Sequence, residues 1–430
     1  MVDQAVILAD SAPPAGDSEA GAPDRVLLGL GLLERMILTL AAGGITRIVV
    51  LSAEGGEHLD GLAPGWQRSG ADVRLAGAAQ AELPLADAPF LLLDGMFVLG
   101  AGLAPYLRQR EVESDRHLVG DDEGSWRSGF SGLALCRADS FPRLLAGRSG
   151  GSRRESAVDL LAAAPSLPVT GHGWVKVDSR DSARRARRLL RLSLGKPSDG
   201  FFSRHLNRRF SWPISRLLIR LGARPNLVTL ANLALGLLSG WLIGRGGYGS
   251  TLAAGLLFQF VSIVDGCDGE IARLTFRFSA LGARLDNLSD TVVLILFFLN
   301  LPVGLVAATG DTAWLVRGGA ALLLVAVFYL LLLARIRWSG HRGNIAEIAH
   351  KVQNKGKSGE ALNWLERLGT RLGFIFRKEF ISLYALAWCL CGRAEGVLWT
   401  IIGLVPLGIV YQLDALRKLR RARASGVDVR

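Results

Sequence analysis

Hydrophobic residues are spaced in two different ways along the 430-residue chain. Up to about residue 195 they come in short runs bounded by polar or glycine-rich segments. Six of these read as strands: "AVILAD" (5–10), "RIVVLS" (47–52), "DVRLAG" (72–77), "FLLLDG" (90–95), "GLALCR" (132–137) and "WVKVDS" (174–179). Between the first two, "LGLLERMILTLAAGG" carries apolar residues at helical spacing and stops at a glycine pair. "PPAGDSEAGAP" (13–23) has loop composition. Strand–helix alternation predicts a soluble α/β domain with a mostly parallel sheet over residues 1–195.

Beyond residue 225 the apolar stretches lengthen. They cover about 226–243, 250–264, 285–305, 313–338, 380–392 and 397–411. Each is near the roughly 20 residues needed to cross a bilayer, the fifth being short. An all-α membrane domain of six transmembrane helices is predicted over 225–418, followed by a basic cytosolic tail at 419–430. In the stretch before it, Arg, Lys and His alternate with Leu, Ile, Phe and Trp. Residues 196–224 therefore read as a basic amphipathic juxtamembrane helix, with 201–221 lying in the membrane interface.

Composition sharpens this picture. Half of the residues are apolar and the mean hydropathy is +0.31, yet the formal net charge is +12. The basic residues flank the apolar runs, in 180–224, in 335–378 and in "LRKLRRARASG" near the C-terminus. That distribution points to membrane lipids rather than nucleic acid as the partner. With an even number of spans, it places both termini and the 264–290 turn on the cytosolic side of the cell inner (plasma) membrane. "MVDQAVILADSAPPAG" lacks a basic segment followed by an apolar one, so no cleaved signal peptide is expected. The four cysteines (Cys136, Cys267, Cys389, Cys391) form no metal-type CxxC pair, and the last two read as small packing residues inside a span.

The chemistry concentrates in "VDGCDGEIARLTFRFSALGARLDNLSD" (264–290), where two apolar segments meet. Asp265 and Asp268 are i, i+3, and Asp286 and Asp290 are i, i+4, so each pair lies on one helical face. An ionised carboxylate near hydrocarbon costs about 2.5–3.5 kcal/mol, and four together need a compensating cation. If the second and third spans pack side by side, the two faces enclose an oxygen-lined pocket suited to Mg²⁺ or Mn²⁺. No His or Cys is placed for zinc. Gly269 and Gly282, with Ala272, Ala280 and Ala283, keep bulk away from the carboxylates and allow close helix approach.

Read in full, Asp265-x2-Asp268-Gly269-x2-Ala272-Arg273-x8-Gly282-x3-Asp286-x3-Asp290 resembles the signature of the CDP-alcohol phosphotransferase (phosphatidyltransferase) family. "RPNLVTLANLALG" (224–236) is similar to the start of that family's first span. The resemblance implies transfer of a substituted phosphate from a CDP-alcohol donor to an acceptor hydroxyl, with release of CMP, at a two-metal site. It implies Asp265, Asp268 and Asp286 as metal ligands and Asp290 as general base, touching a metal as well. Gly269, Ala272, Arg273 and Gly282 would border the donor nucleotide, with Asn226 and Thr229 contributing. Cys267 is a spacer. Arg273, Arg335, Arg337, Arg377 and Lys378 fall at cytosolic helix ends, where they either anchor to lipid headgroups or form a basic pocket for an acceptor bearing its own phosphate. Arg335 and Arg377 are the preferred acceptor pair. A homodimer is the expected assembly.

Residues 1–195 resemble nucleotidyltransferase-type α/β domains through "ERMILTLAAGGITRIVVLS" and "KPSDGFFSRHLNRRFS", and the two-part layout is similar to that of di-myo-inositol-phosphate phosphate synthases. An active domain of that type would carry a glycine-rich AAGxGxR-like loop and a Pro-Lys after the first strand. Here the chain reads "ADSAPPAGDSEAGAPDRVLLG". Without successive backbone N–H groups and a lysine for the nucleotide phosphates, the domain is expected to be catalytically degenerate: a scaffold, dimerisation or docking module. Asp94 reads either as a residual metal-binding acid or as a strand-end turn residue. One alternative is a bifunctional enzyme that also makes its own CDP-alcohol from CTP. Another is a divalent-metal transporter, against which the acids sit at one end of two spans. The alcohol itself stays open among glycerol phosphate, inositol phosphate and diacylglycerol.

Overall fold

The computed structural model describes residues 2–9, 26–52, 63–77, 88–120, 132–146, 153–195, 207–338 and 378–424. The chain divides near Leu194 into an α/β unit and a helical unit.

The α/β unit is built on a seven-stranded sheet: β1 (Gln4–Leu8), β2 (Arg47–Ser52), β3 (Asp72–Gly77), β4 (Phe90–Asp94), β5 (Arg116–Gly120), β6 (Leu133–Cys136) and β7 (Ser166–Val169), in the spatial order β7-β5-β6-β4-β1-β2-β3. All neighbours run parallel except those of β6, which is antiparallel to β4 and β5. The expected mostly parallel sheet is thus present. Its central strands are continuous apolar runs because both faces are covered. Ile7, Val50 and Leu93 pack in one core, whereas Val6, Leu8, Val49 and Leu92 pack in another. Helix α1 (Leu32–Ala42) stops at Gly43 and Gly44. Gly44 has φ +91°, a conformation that favours glycine, and a Cβ on Gly43 would lie 2.4 Å from the Cβ of Ala104.

Two details differ from the sequence reading. The run at 174–179 forms a strand only over Trp174–Lys176 and pairs with Phe97–Leu99 in a separate two-stranded ribbon, outside the main sheet. Strands β5 and β7 carry no clean alternation. β7 contains Pro168, which is tolerated because the strand lies at the sheet edge, where a missing N–H costs no ladder bond.

The helical unit contains α3 (Arg208–Arg220), α4 (Pro225–Ile243), α5 (Tyr248–Thr275), α6 (Ala280–Thr309), α7 (Ala313–Trp338), α8 (Lys378–Leu390) and α9 (Glu395–Ala424). The α/β unit ends in α2 (Arg180–Ser193), which Ser179 caps by accepting from the Ser182 N–H. Among the described residues, five helices are long and apolar enough to cross a membrane: α4, α5, α6, and the parts of α7 and α9 over Ala313–Arg335 and Glu395–Lys418. The fifth expected span (380–392) is not one of them. Over the described residues helix α8 has 13 residues, which at 1.5 Å per residue reaches only about 20 Å.

Glycine and capping chemistry set the helix packing. Pro225 occupies the first turn of α4 after an extended Arg224, and Ser279 caps α6 by accepting from the Gly282 N–H at 3.1 Å. Gly236 and Gly240 on α4, with Gly244 just after its end, recur every fourth residue and face α6. Cβ atoms there would lie 2.2 Å from Val293, 2.8 Å from Leu296 and 3.2 Å from Asn300. Small residues at this spacing let two helix backbones approach closely. Phe258 of α5 stacks on Phe297 of α6 at 4.2 Å between centroids, in the core of the unit. Large apolar residues such as Trp241, Ile295, Val316, Leu323 and Leu330 are exposed, as expected of surfaces that face lipid.

The juxtamembrane segment forms a helix over Arg208–Arg220, and residues 196–206 of the expected stretch 196–224 lie outside the described residues. Its buried stripe is Asn207, Ser211, Ser215 and Ile219, while Phe210, Leu217 and Leu221 are exposed. The inward face is therefore mostly small and polar, and the apolar face is turned outward.

Candidate active site

Helices α5 and α6 bring the motif acids together from the two sides of one turn. The carboxylates of Asp265, Asp286 and Asp290 each offer an oxygen, and these oxygens all lie within 4.8 Å of one another. All three residues are half-buried. An all-oxygen donor set of this kind, without His or Cys, suits a hard divalent cation.

Asp268 stands apart from that group. It is buried, its Oδ2 accepts from the Thr229 hydroxyl of α4 at 2.5 Å, and its Oδ1 accepts from the Gly269 N–H at 2.5 Å. The structure thus brings together three of the four expected ligands and ties the fourth to α4. Thr229, expected beside the nucleotide, is the residue that makes this tie.

The small residues have specific neighbours. A Cβ on Gly282 would sit 2.5 Å from Asn226 Oδ1, so the first turns of α4 and α6 meet there. A Cβ on Gly269 would meet Arg273 Nη1 at 3.2 Å, which places that guanidinium over the glycine. Ala272 is half-buried one turn beyond Asp268, whereas Ala280 and Ala283 are exposed at the start of α6.

A cation sits among the acids. Lys378, the first residue of α8, donates from Nζ to Asp265 Oδ1 at 2.9 Å and to Asp290 Oδ1. The sequence reading placed Lys378 only with the basic helix ends. Nothing local marks it for the acid cluster, because its partners lie 113 and 88 residues away. Its ammonium thus meets two of the three clustered carboxylates.

Arg335 is half-buried at the end of α7. It donates to Gln412 Oε1 of α9 at 3.2 Å, and its guanidinium carbon lies 5.4 Å from the Tyr411 ring centroid. Arg377 falls outside the described residues, so the expected Arg335–Arg377 pair is not assembled among them. Arg337 is exposed.

Glu270 was not anticipated. It directly follows Gly269 on α5, is only 4% exposed, and accepts from Ser211 Oγ at 2.8 Å and from Ser215 Oγ at 2.7 Å, both on α3. Next to it, Asn207 donates to the Ser262 carbonyl at 3.2 Å, and the Cys267 thiol points to the Ser211 carbonyl at 3.6 Å. A buried polar seam therefore clamps the juxtamembrane helix onto the motif helix. An acid in an apolar segment, with serines at i, i+4 in the juxtamembrane helix, was the available signal. Cys389 is buried against Gly255, as expected of a packing residue, whereas Cys391 is exposed.

In the α/β unit, Asp94 ends β4, fully buried. Its Oδ1 accepts from the Met96 N–H at 3.2 Å, and Arg154 Nε lies 3.3 Å from its Oδ2. This is the strand-end turn geometry, with an arginine for the charge. Residues 10–25, which carry the departure from a phosphate-binding loop, lie outside the described residues. Burial pushes the Cys136 thiol well above its ordinary range.

With this geometry in view, residues 223–407 match the model of the family described as CDP-alcohol phosphatidyltransferase. The helical unit thus carries a CDP-alcohol phosphatidyltransferase domain. Among curated relatives, the chain is 42% identical over 126 residues to a bifunctional IPC transferase and DIPP synthase of Thermococcus kodakarensis, covering 29% of this chain and 28% of that protein. It is 28% identical over 377 residues to the protein of the same description from Rubrobacter xylanophilus, covering 76% of this chain and 82% of that one. The match to the Thermococcus relative thus spans little more than a quarter of that protein's length. Among solved structures, the inositol-1-phosphate CTP transferase of T. maritima is similar at 12% identity and a TM-score of 0.33, covering 44% of this chain and 96% of that one.

Proposed function

We propose that this protein is an integral membrane transferase that moves a substituted phosphate from a CDP-alcohol to an acceptor hydroxyl and releases CMP. The observation that carries this reading is the convergence of Asp265, Asp286 and Asp290 at the meeting of α5 and α6, within the stretch that matches the family. The names of the curated relatives, with the two-part layout of the chain, favour an inositol-phosphodiester product over a phospholipid.

Asp265, Asp286 and Asp290 would hold the divalent cation, with Asp268 as a fourth acid one turn away. Bound there, Mg²⁺ or Mn²⁺ offsets negative charge on the donor diphosphate. Asp290 is the general base: it takes the proton of the acceptor hydroxyl as that oxygen bonds to the donor phosphorus and the bond to the CMP phosphate breaks. Gly269, Ala272, Arg273, Gly282, Asn226 and Thr229 line the nucleotide side, where absent side chains leave room for a ring and its sugar. Arg335 and Arg377 bind the phosphate of the acceptor. The α/β unit acts as a scaffold or docking module, the enzyme works as a homodimer, and both termini and the acid cluster face the cytosol at the inner membrane.

A second reading has a specific observation behind it. The match to the bifunctional Rubrobacter relative covers more of this chain than residues 195–430 alone supply, so it extends into the α/β unit. On that reading the α/β unit also makes the CDP-alcohol from CTP.

Both readings are tested with purified full-length protein, a panel of CDP-alcohols and phosphorylated or free alcohols, Mg²⁺ or Mn²⁺, and CMP as readout. CMP release with CDP-inositol and an inositol phosphate is the expected result. No CMP with any donor contradicts the proposal. Pyrophosphate release from CTP and a polyol phosphate decides for the second reading.

A further inference from the structure

Lys378 is held in the middle of the candidate site by a helix that contributes none of its acids. Its Nζ reaches Asp265 on α5 and Asp290 on α6 together, and its side chain is only 18% exposed. A divalent cation bound by these carboxylates would draw on the same two groups, with an oxygen at about 2.0–2.1 Å for an ion such as Mg²⁺. An ammonium and a divalent ion cannot share them at such range without strong like-charge repulsion.

We propose that Lys378 is a positioning residue that competes with the divalent cation for Asp265 and Asp290. It keeps the two carboxylates facing each other across the α5–α6 gap and is displaced when the cation binds. This rests on the reading that the acid cluster binds a divalent cation. The competition gives the cluster a deliberately moderate affinity. It also couples cation binding to release of the α8 N-terminus from α5 and α6.

The test uses full-length protein in detergent, stripped with EDTA and titrated with Mn²⁺ followed by electron paramagnetic resonance. Lys378→Met should bind Mn²⁺ about tenfold more tightly than wild type, as expected for loss of one contacting competitor. Lys378→Arg, which keeps the charge, should stay near wild type. A residue that merely anchors α8 would give the opposite result, with affinity unchanged or lower in Lys378→Met, and that result overturns the proposal. A second measurement needs no variant. Acetylation of the Lys378 amine, read by mass spectrometry on wild-type protein, should rise on Mn²⁺ addition while that of Lys418 does not. Unchanged labelling at saturating Mn²⁺ likewise overturns it. If neither wild type nor Lys378→Met binds Mn²⁺, the cation-site reading falls too. If wild type binds and Lys378→Met is no tighter, this inference falls alone.

Discussion

The two units of this chain both bury an apolar core but differ in what they expose and in what joins their elements. In the α/β unit, Ile7, Val50, Leu92 and Leu93 fill the interior, and few large apolar side chains are exposed. In the helical unit, Trp241, Val316, Leu323 and Leu330 face outward, whereas Thr229, Ser211, Ser215, Asp268 and Glu270 are buried. The difference follows from the surrounding solvent. Water drives apolar side chains together, but lipid is as apolar as leucine and gives helices no such push. What holds α3, α4, α5 and α6 in register is close glycine contact and hydrogen bonds among small polar groups. Those same contacts aim the carboxylates, so in this unit the packing that stabilises the fold is also the packing that builds the site.

That contrast can be broken most forcefully with a leucine exchange in each unit. Leu92→Ala, at a fully buried sheet position, should cost about 2–5 kcal/mol of α/β-unit stability in denaturant unfolding. Leu330→Ala, exposed on α7, should stay within about 0.5 kcal/mol. Equal losses at both positions would contradict the reading of Leu330 as a lipid-facing residue. A smaller but diagnostic effect is expected where α4 meets α6. Gly236→Ala would force its methyl to within 2.2 Å of Val293, and over-packing of this kind costs about 1–3 kcal/mol, read as thermal unfolding in detergent. Gly319→Ala, with open space around it, should be neutral in the same assay. An effect of similar or smaller size concerns the buried seam. Glu270→Gln keeps an acceptor for one serine and should cost about 1 kcal/mol. Glu270→Leu, which leaves both hydroxyls without it, should cost about 1–3 kcal/mol and lower CMP release in parallel. No change in either variant would remove the seam from the account.

The sequence made some of this legible and not the rest, for physical reasons. Aspartates at i, i+3 and i, i+4 inside apolar runs stand out because hydrocarbon makes them costly, and three of them do converge. The central strands were legible because both faces of a parallel sheet are apolar. Strands β5 and β7 were not, since edge and mixed strands lose that pattern and Pro168 argues against a ladder. Over the described residues, helix α8 has the composition of a span but not its length. Lys378 could not be assigned to the acids because tertiary structure, not spacing, brings them together. The tie between Thr229 and Asp268 was hidden for the same reason: local periodicity says which face a residue occupies, not which neighbour meets it.

The central claim is that acids presented by α5 and α6 carry out phosphate transfer, with Asp290 as base. CMP release measured side by side for wild type and Asp290→Asn, with equal thermal unfolding confirming that both are folded, tests it most directly. The account predicts a fall of about 10²- to 10⁴-fold in turnover for the variant. A folded Asp290→Asn protein that turned over at the wild-type rate would contradict it.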